Sequence, residues 1–218
     1  MPKMVIFDLD GTLADSLTDL ALSVNKGLAA AGLPEHPVAA YRQFVGNGRT
    51  VLVERAMGTA AGDTERFNTV VRVFNEAYSR HFADNTTAYP GCADMLAALH
   101  RHGILTAVLS NKPDEFVGCI LRRLYPEHVF AEAWGQRPQY LPKPDGAAVR
   151  AMLALHGLLP TDCLYVGDSN VDIYTAQNAG VPSAGVSWGF RGRAELTEAV
   201  APFVADTAAE LTDYLLHL

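Results

Sequence analysis

Two textures of hydrophobic and polar positions alternate along this chain. Short unbroken apolar runs rich in Val, Ile and Leu occur at "MVIFD", "ILTAVLS", "HVFAEAW", "CLYVGD" and "VPSAGVS". Runs that are apolar on consecutive residues fit strands buried on both faces of a parallel sheet. Between them lie amphipathic stretches with helix punctuation. "PGCADMLAALHRHG" opens on Pro90 and closes on Gly103, a proline start and a glycine stop. "KPDEFVGCILRRLY", "PDGAAVRAMLALHG" and "NVDIYTAQNAG" follow the same grammar. Strand, helix, strand, helix predicts an α/β fold with a doubly wound, Rossmann-like parallel sheet.

From Asp15 to about Asn85 the alternation breaks, and only helical periodicity remains. Leu17, Leu20, Ala21, Val24 and Leu28 share one helical face, closed by Gly32 and Pro34. "TVLVERAMG" is a short second helix. Phe67, Val70, Val71, Phe74, Tyr78 and Phe82 form a longer stripe, read as core packing. The expectation is a core of residues 1–14 and 86–218 with a small α-helical cap, residues 15–85, inserted after the first strand. Such sheets take ligands at the carboxyl ends of their strands, so the insertion is expected to be a lid.

Those strand ends carry the polar residues that matter. The first strand runs into Asp8 and Asp10, the second into Ser110 and Asn111, and a later one into Asp168 and Ser169. Asp172 follows Asp168 by one helical turn, and Lys143 lies between Pro142 and Pro144. Singly, each has a plain structural reading. Ser110, Asp168 or Ser169 would serve as helix N-caps, Asp10–Gly11 as a turn, and Lys143 as a solvated surface lysine. Together at one sheet edge they exceed what capping needs. Three carboxylates gathered there repel by about several kcal/mol under partial burial unless a cation compensates. Oxygen ligands with open positions favour Mg²⁺, which also takes a substrate phosphate oxygen. Ser110 and Lys143 then supply a donor and a positive charge for the other phosphoryl oxygens.

Composition narrows the partners. The chain has 218 residues, 49% of them hydrophobic, enough for one sizeable core carrying an insertion. A formal charge of −7 with no basic run argues against nucleic acid or an anionic membrane surface, and no stretch reaches transmembrane length. Three scattered cysteines, Cys92, Cys119 and Cys163, read as small hydrophobes in a reducing cytosol. The short apolar run in "MPKMVIF" does not make a signal peptide, so the expected location is cytoplasmic.

"DLDGTLADS", "LSNK", "PKPD" and "VGDSNVD", in this order and spacing, resemble the four motifs of the haloacid dehalogenase-like phosphohydrolases. "VGNG", "VLVERA" and "NAGVPSAGVSWGFRG" look like that family's phosphoglycolate phosphatase branch. The resemblance implies Asp8 as nucleophile, forming an aspartyl phosphate, and Asp10 as general acid and then general base. It implies Mg²⁺ held by Asp8, the Asp10 backbone carbonyl and Asp168. Asp172 would orient a water or Lys143, which acts beside the nucleophile. Thr12, Ser110 and backbone N–H groups near Leu9 and Asn111 would hold the phosphoryl group. In the cap, Arg49 of "GNGRT" is either an anchor for a substrate carboxylate or simply the start of a solvated helix.

The implied activity is Mg²⁺-dependent hydrolysis of a small phosphorylated metabolite, with 2-phosphoglycolate leading. A phosphomutase, which needs more cationic anchors than Arg49, is the alternative, as is a nucleotidase or pyrophosphatase on the same core. A binding protein on a decayed scaffold would lack one of the key acids or the lysine, and all are present. Monomer and homodimer stay open.

Overall fold

A computed structural model describes every residue from Met1 to Leu218. Along the chain come β1 (Met4–Phe7), β2 (Ala14–Asp15), α1 (Leu17–Ala30), α2 (Tyr41–Phe44), α3 (Arg49–Met57), α4 (Thr64–His81) and β3 (Thr87–Ala88). Then follow α5 (Cys92–Arg101), β4 (Leu105–Pro113), α6 (Asp114–Leu124), β5 (Glu132–Gln136), α7 (Ala147–Leu155) and β6 (Cys163–Gly167). The chain ends with α8 (Asn170–Ala179), β7 (Ser183–Val186), α9 (Gly192–Glu198), β8 (Val204–Ala205) and α10 (Ala208–His217). No helix is long and apolar enough to cross a membrane.

The chain divides into two compact units, Met1–Ala14 with Ala88–Leu218, and Asp15–Thr87. The first holds a six-stranded sheet in the order β5-β4-β1-β6-β7-β8, with every pairing parallel. This is the doubly wound α/β architecture. β1 lies at its centre with all four residues buried, as its unbroken apolar run requires. Met4 and Ile6 pack on Trp134, Val149, Met152, Tyr165 and Ala176, which fill one layer between sheet and helices. At the other edge Ile173, Leu196, Ala199 and Val204 form a smaller cluster beneath β8.

The second unit is helical. In α1, Leu17, Leu20, Ala21, Val24 and Leu28 are buried, and in α4 Val70, Phe74 and Tyr78. The unit extends to Thr87 because Asp19, in the first turn of α1, accepts from the Asn85 backbone N–H at 3.0 Å and the Thr86 hydroxyl at 2.7 Å. Asn25 locks the turn after α1. It exchanges two hydrogen bonds with the His36 backbone, and the Tyr41 hydroxyl donates to its Oδ1 at 2.6 Å.

Two elements depart from the sequence reading. The strand expected from His128 begins only at Glu132. His128 sits at φ 64, a left-handed conformation no strand accommodates. β4 does not stop at Ser110 but runs to Pro113, with a register irregularity against β5 after Leu109. Ser110 is therefore inside a strand and is not a helix cap.

Candidate active site

β1 delivers Asp8 to the carboxyl edge of the sheet, where the Asp8 amide donates to Val166 of β6 at 2.9 Å. The chain then curls tightly, the Leu9 carbonyl accepting from the amides of Thr12, Leu13 and Ala14. Gly11 makes this turn at φ 91, and a Cβ there would stand 2.4 Å from Asp168 Oδ2. Only glycine lets the turn and the Asp168 carboxylate share the space.

Asp8, Asp168 and Asp172 bring carboxylate oxygens within 4.8 Å of one another, all buried. Lys143 enters from the loop before α7. Its Nζ lies 2.8 Å from Asp8 Oδ1 and 2.7 Å from Asp172 Oδ1, and 5.7 Å from the centre of the Tyr165 ring. The Lys143 backbone is gripped by the Asn111 side chain, which accepts from its N–H at 2.7 Å and donates to its carbonyl at 3.0 Å. Asn111 is expected among the phosphoryl-binding residues; in the structure its side chain is a strut for Lys143.

Asp172 is fully engaged. Oδ1 faces Lys143, and Oδ2 accepts from the Ser169 amide at 3.1 Å and hydroxyl at 2.8 Å, at the head of α8. Asp168 spends Oδ2 on the Phe190 amide at 2.6 Å. Lys143 meets Asp8 Oδ1 as a charge contact without an aligned hydrogen bond, so that oxygen keeps acceptor capacity. Nearby, the buried Thr12 hydroxyl has no hydrogen-bond partner. The Ser110 hydroxyl accepts from the Lys112 amide at 3.2 Å, which leaves its proton to donate.

Burial pushes the Asp8 carboxyl up to about 7, against the pull of Lys143. Burial, followed by the charges of Asp172 and Asp8, holds Asp168 well above the usual carboxylate range. Burial opposes the charge on Lys143, yet Asp172 and Asp8 reverse this and raise it well above an ordinary lysine. Three carboxylates against one ammonium leave two negative charges uncompensated when all are ionised. An all-oxygen donor set with that deficit, and with unspent acceptors on Asp8 and Asp168, fits a hard divalent cation.

Two contributors escaped the sequence reading. Lys112 places Nζ 2.9 Å from both carboxylate oxygens of Asp10. Its position two residues beyond Ser110 on a strand was the available signal, since alternate residues share a face. The loop of residues 187–191 also serves the site, with Phe190 on Asp168 and the Trp188 indole donating to the Thr12 carbonyl at 3.0 Å. Arg49 begins α3 and donates to Asn75 of α4 at 3.0 Å.

A doubly wound sheet with a lysine-bridged acidic cluster at its strand ends is an α/β protein whose ligand site lies at the carboxyl edge of the sheet. The model of the haloacid dehalogenase-like hydrolase family matches residues 5–186. Phosphoglycolate phosphatase 1 of Pseudomonas aeruginosa is 36% identical over 215 residues, covering 97% of this chain and 79% of its own. Phosphoglycolate phosphatase of Pasteurella multocida is 33% identical, with 98% of both chains covered. The crystal structure of a predicted phosphoglycolate phosphatase from Haemophilus somnus superposes with a TM-score of 0.91 at 32% identity, covering 98% of this chain and 97% of that one. The chain belongs to the haloacid dehalogenase-like hydrolase family and is a phosphoric monoester hydrolase.

Proposed function

We propose that this protein is a Mg²⁺-dependent phosphatase that acts through an aspartyl phosphate on Asp8, with 2-phosphoglycolate as its leading substrate. The observation that carries the reading is the buried cluster of Asp8, Asp168 and Asp172 around Lys143, which is short of positive charge by two when its carboxylates are ionised. The names of the relatives support the substrate.

Asp8 Oδ attacks phosphorus, the bond from phosphorus to the ester oxygen breaks, and Asp10 gives its proton to the leaving alkoxide. Water then attacks phosphorus, Asp10 takes its proton, and the bond to Asp8 breaks with release of inorganic phosphate. Lys143, Thr12 and Ser110 meet the equatorial phosphoryl oxygens as charge spreads over them. Asp8, the Asp10 carbonyl and Asp168 would hold Mg²⁺, which when bound neutralises phosphoryl charge. Asp172 acts through Lys143, keeping its ammonium aimed at Asp8. Arg49 is a candidate contact for a substrate carboxylate.

The test is phosphate release. Turnover of 2-phosphoglycolate is expected to need Mg²⁺, to stop with EDTA, and to vanish in Asp8→Asn. Faster release from nucleoside monophosphates or pyrophosphate would move the substrate assignment. Activity surviving in Asp8→Asn would refute the covalent route.

A further inference from the structure

Lys112 sits on β4 with its side chain 2% exposed, and a lysine is rarely buried so deeply without a dedicated partner. The partner is Asp10, which lies 102 residues away along the chain. The contact is symmetrical, since Nζ stands 2.9 Å from both Oδ1 and Oδ2, and the Asp10 side chain itself is only 12% exposed. A single ammonium equidistant from both oxygens fixes where the head of the carboxylate sits and which way it faces. Each oxygen carries a second lone pair, so that grip leaves the group able to accept a proton. Lys112 is in turn held by its strand, where its amide donates to Ser110 and its carbonyl faces Gly135 of β5, with no room even for a Cβ.

We infer that Lys112 is a positioning residue for the second half of the reaction, holding the Asp10 carboxylate where it takes a proton from the attacking water. The inference rests on the proposed role of Asp10 and deepens it. In that half-reaction the water O–H bond breaks toward Asp10, a bond forms from water oxygen to phosphorus, and the phosphorus–Asp8 oxygen bond breaks with its electron pair returning to the carboxylate. Asp10 must meet a water whose position the phosphoenzyme dictates, so a carboxylate free to swing away from that place would be a poor base.

p-Nitrophenyl phosphate separates the two halves, because nitrophenolate leaves without help from an acid. In Lys112→Met the first half is expected to persist while the second slows. A burst of nitrophenolate, one per enzyme, should precede steady turnover reduced by about 10- to 100-fold, less than the 10²–10⁴ of a general base removed outright. Lys112→Gln is read in the same way should the methionine variant not fold. A merely structural role would lower burst and steady rate together. Asp10→Asn is measured alongside. A burst in Asp10→Asn with none in either lysine variant overturns the positioning role and leaves Asp10 as the base. The absence of a burst in Asp10→Asn itself removes the role of Asp10, and that of Lys112 with it.

Discussion

Asp8 is a residue whose usefulness works against the fold. Its carboxyl is pushed up to about 7 when folded, from 3.8, chiefly by burial. A folded pKa above the unfolded one means the native state binds the proton more tightly. The stability this confers is full below pH 3.8 and is lost as pH climbs toward 7. Each pH unit inside that window costs about 1.4 kcal/mol. Asp168 is displaced in the same direction, by burial and then by Asp172 and Asp8. Without Mg²⁺, therefore, thermal unfolding at pH 5.5 is expected at a higher temperature than at pH 7.5 (roughly either side of the upper end of the Asp8 window). Asp8→Asn should flatten that slope and raise the melting temperature at the higher pH while abolishing activity. A slope unchanged in Asp8→Asn would show that Asp8 is not its source.

At the scale of elements, the helical unit depends on a polar latch as well as on its apolar stripe. Asp19, 2% exposed, receives the Asn85 amide, the Asn85 side chain and the Thr86 hydroxyl, tying the first turn of α1 to the segment after α4. Asp19→Ala strands those donors and removes hydrogen bonds to a charge, at a cost of about 2–4 kcal/mol. Urea unfolding should show the loss as a lower midpoint, whereas Asp19→Asn, which retains an acceptor, should lose less. Legibility at this scale followed periodicity. Leu17 to Leu28 on α1 and Val70, Phe74 and Tyr78 on α4 emerged as stripes because burial of one helix face imposes a period of 3.6. β8 is two residues long and carries no such period. α10 had a readable start, since Thr207 accepts from the Glu210 amide and Glu210 reaches back to the Asp206 amide, in the spacing "TAAE".

At the scale of the whole molecule, a ligand that binds only the folded state stabilises it by mass action. Mg²⁺ at about 100 times its dissociation constant should add about 2.7 kcal/mol. The increment should be larger at pH 7.5 than at pH 5.5 (again roughly either side of the upper end of the Asp8 window), because below its pKa of about 7 the proton on Asp8 competes with the cation. Asp168→Asn should lose most of the increment, while Arg49→Ala, in the helical unit, should keep it. Calorimetry with and without Mg²⁺ reads all three.

The alternation of strands and helices, the helical stretch after the first strand and the acids near the strand ends were readable from the chain, because burial and backbone geometry write themselves as short periods. The pairing of Asp10 with Lys112, the grip of Asn111 on Lys143 and the amide of Phe190 on Asp168 were not. Each joins segments about 20 to 100 residues apart, a separation across which no local period carries information. Sheet order brought them together. With β1 between β4 and β6, the ends of three strands become neighbours, and side chains silent in the sequence become partners.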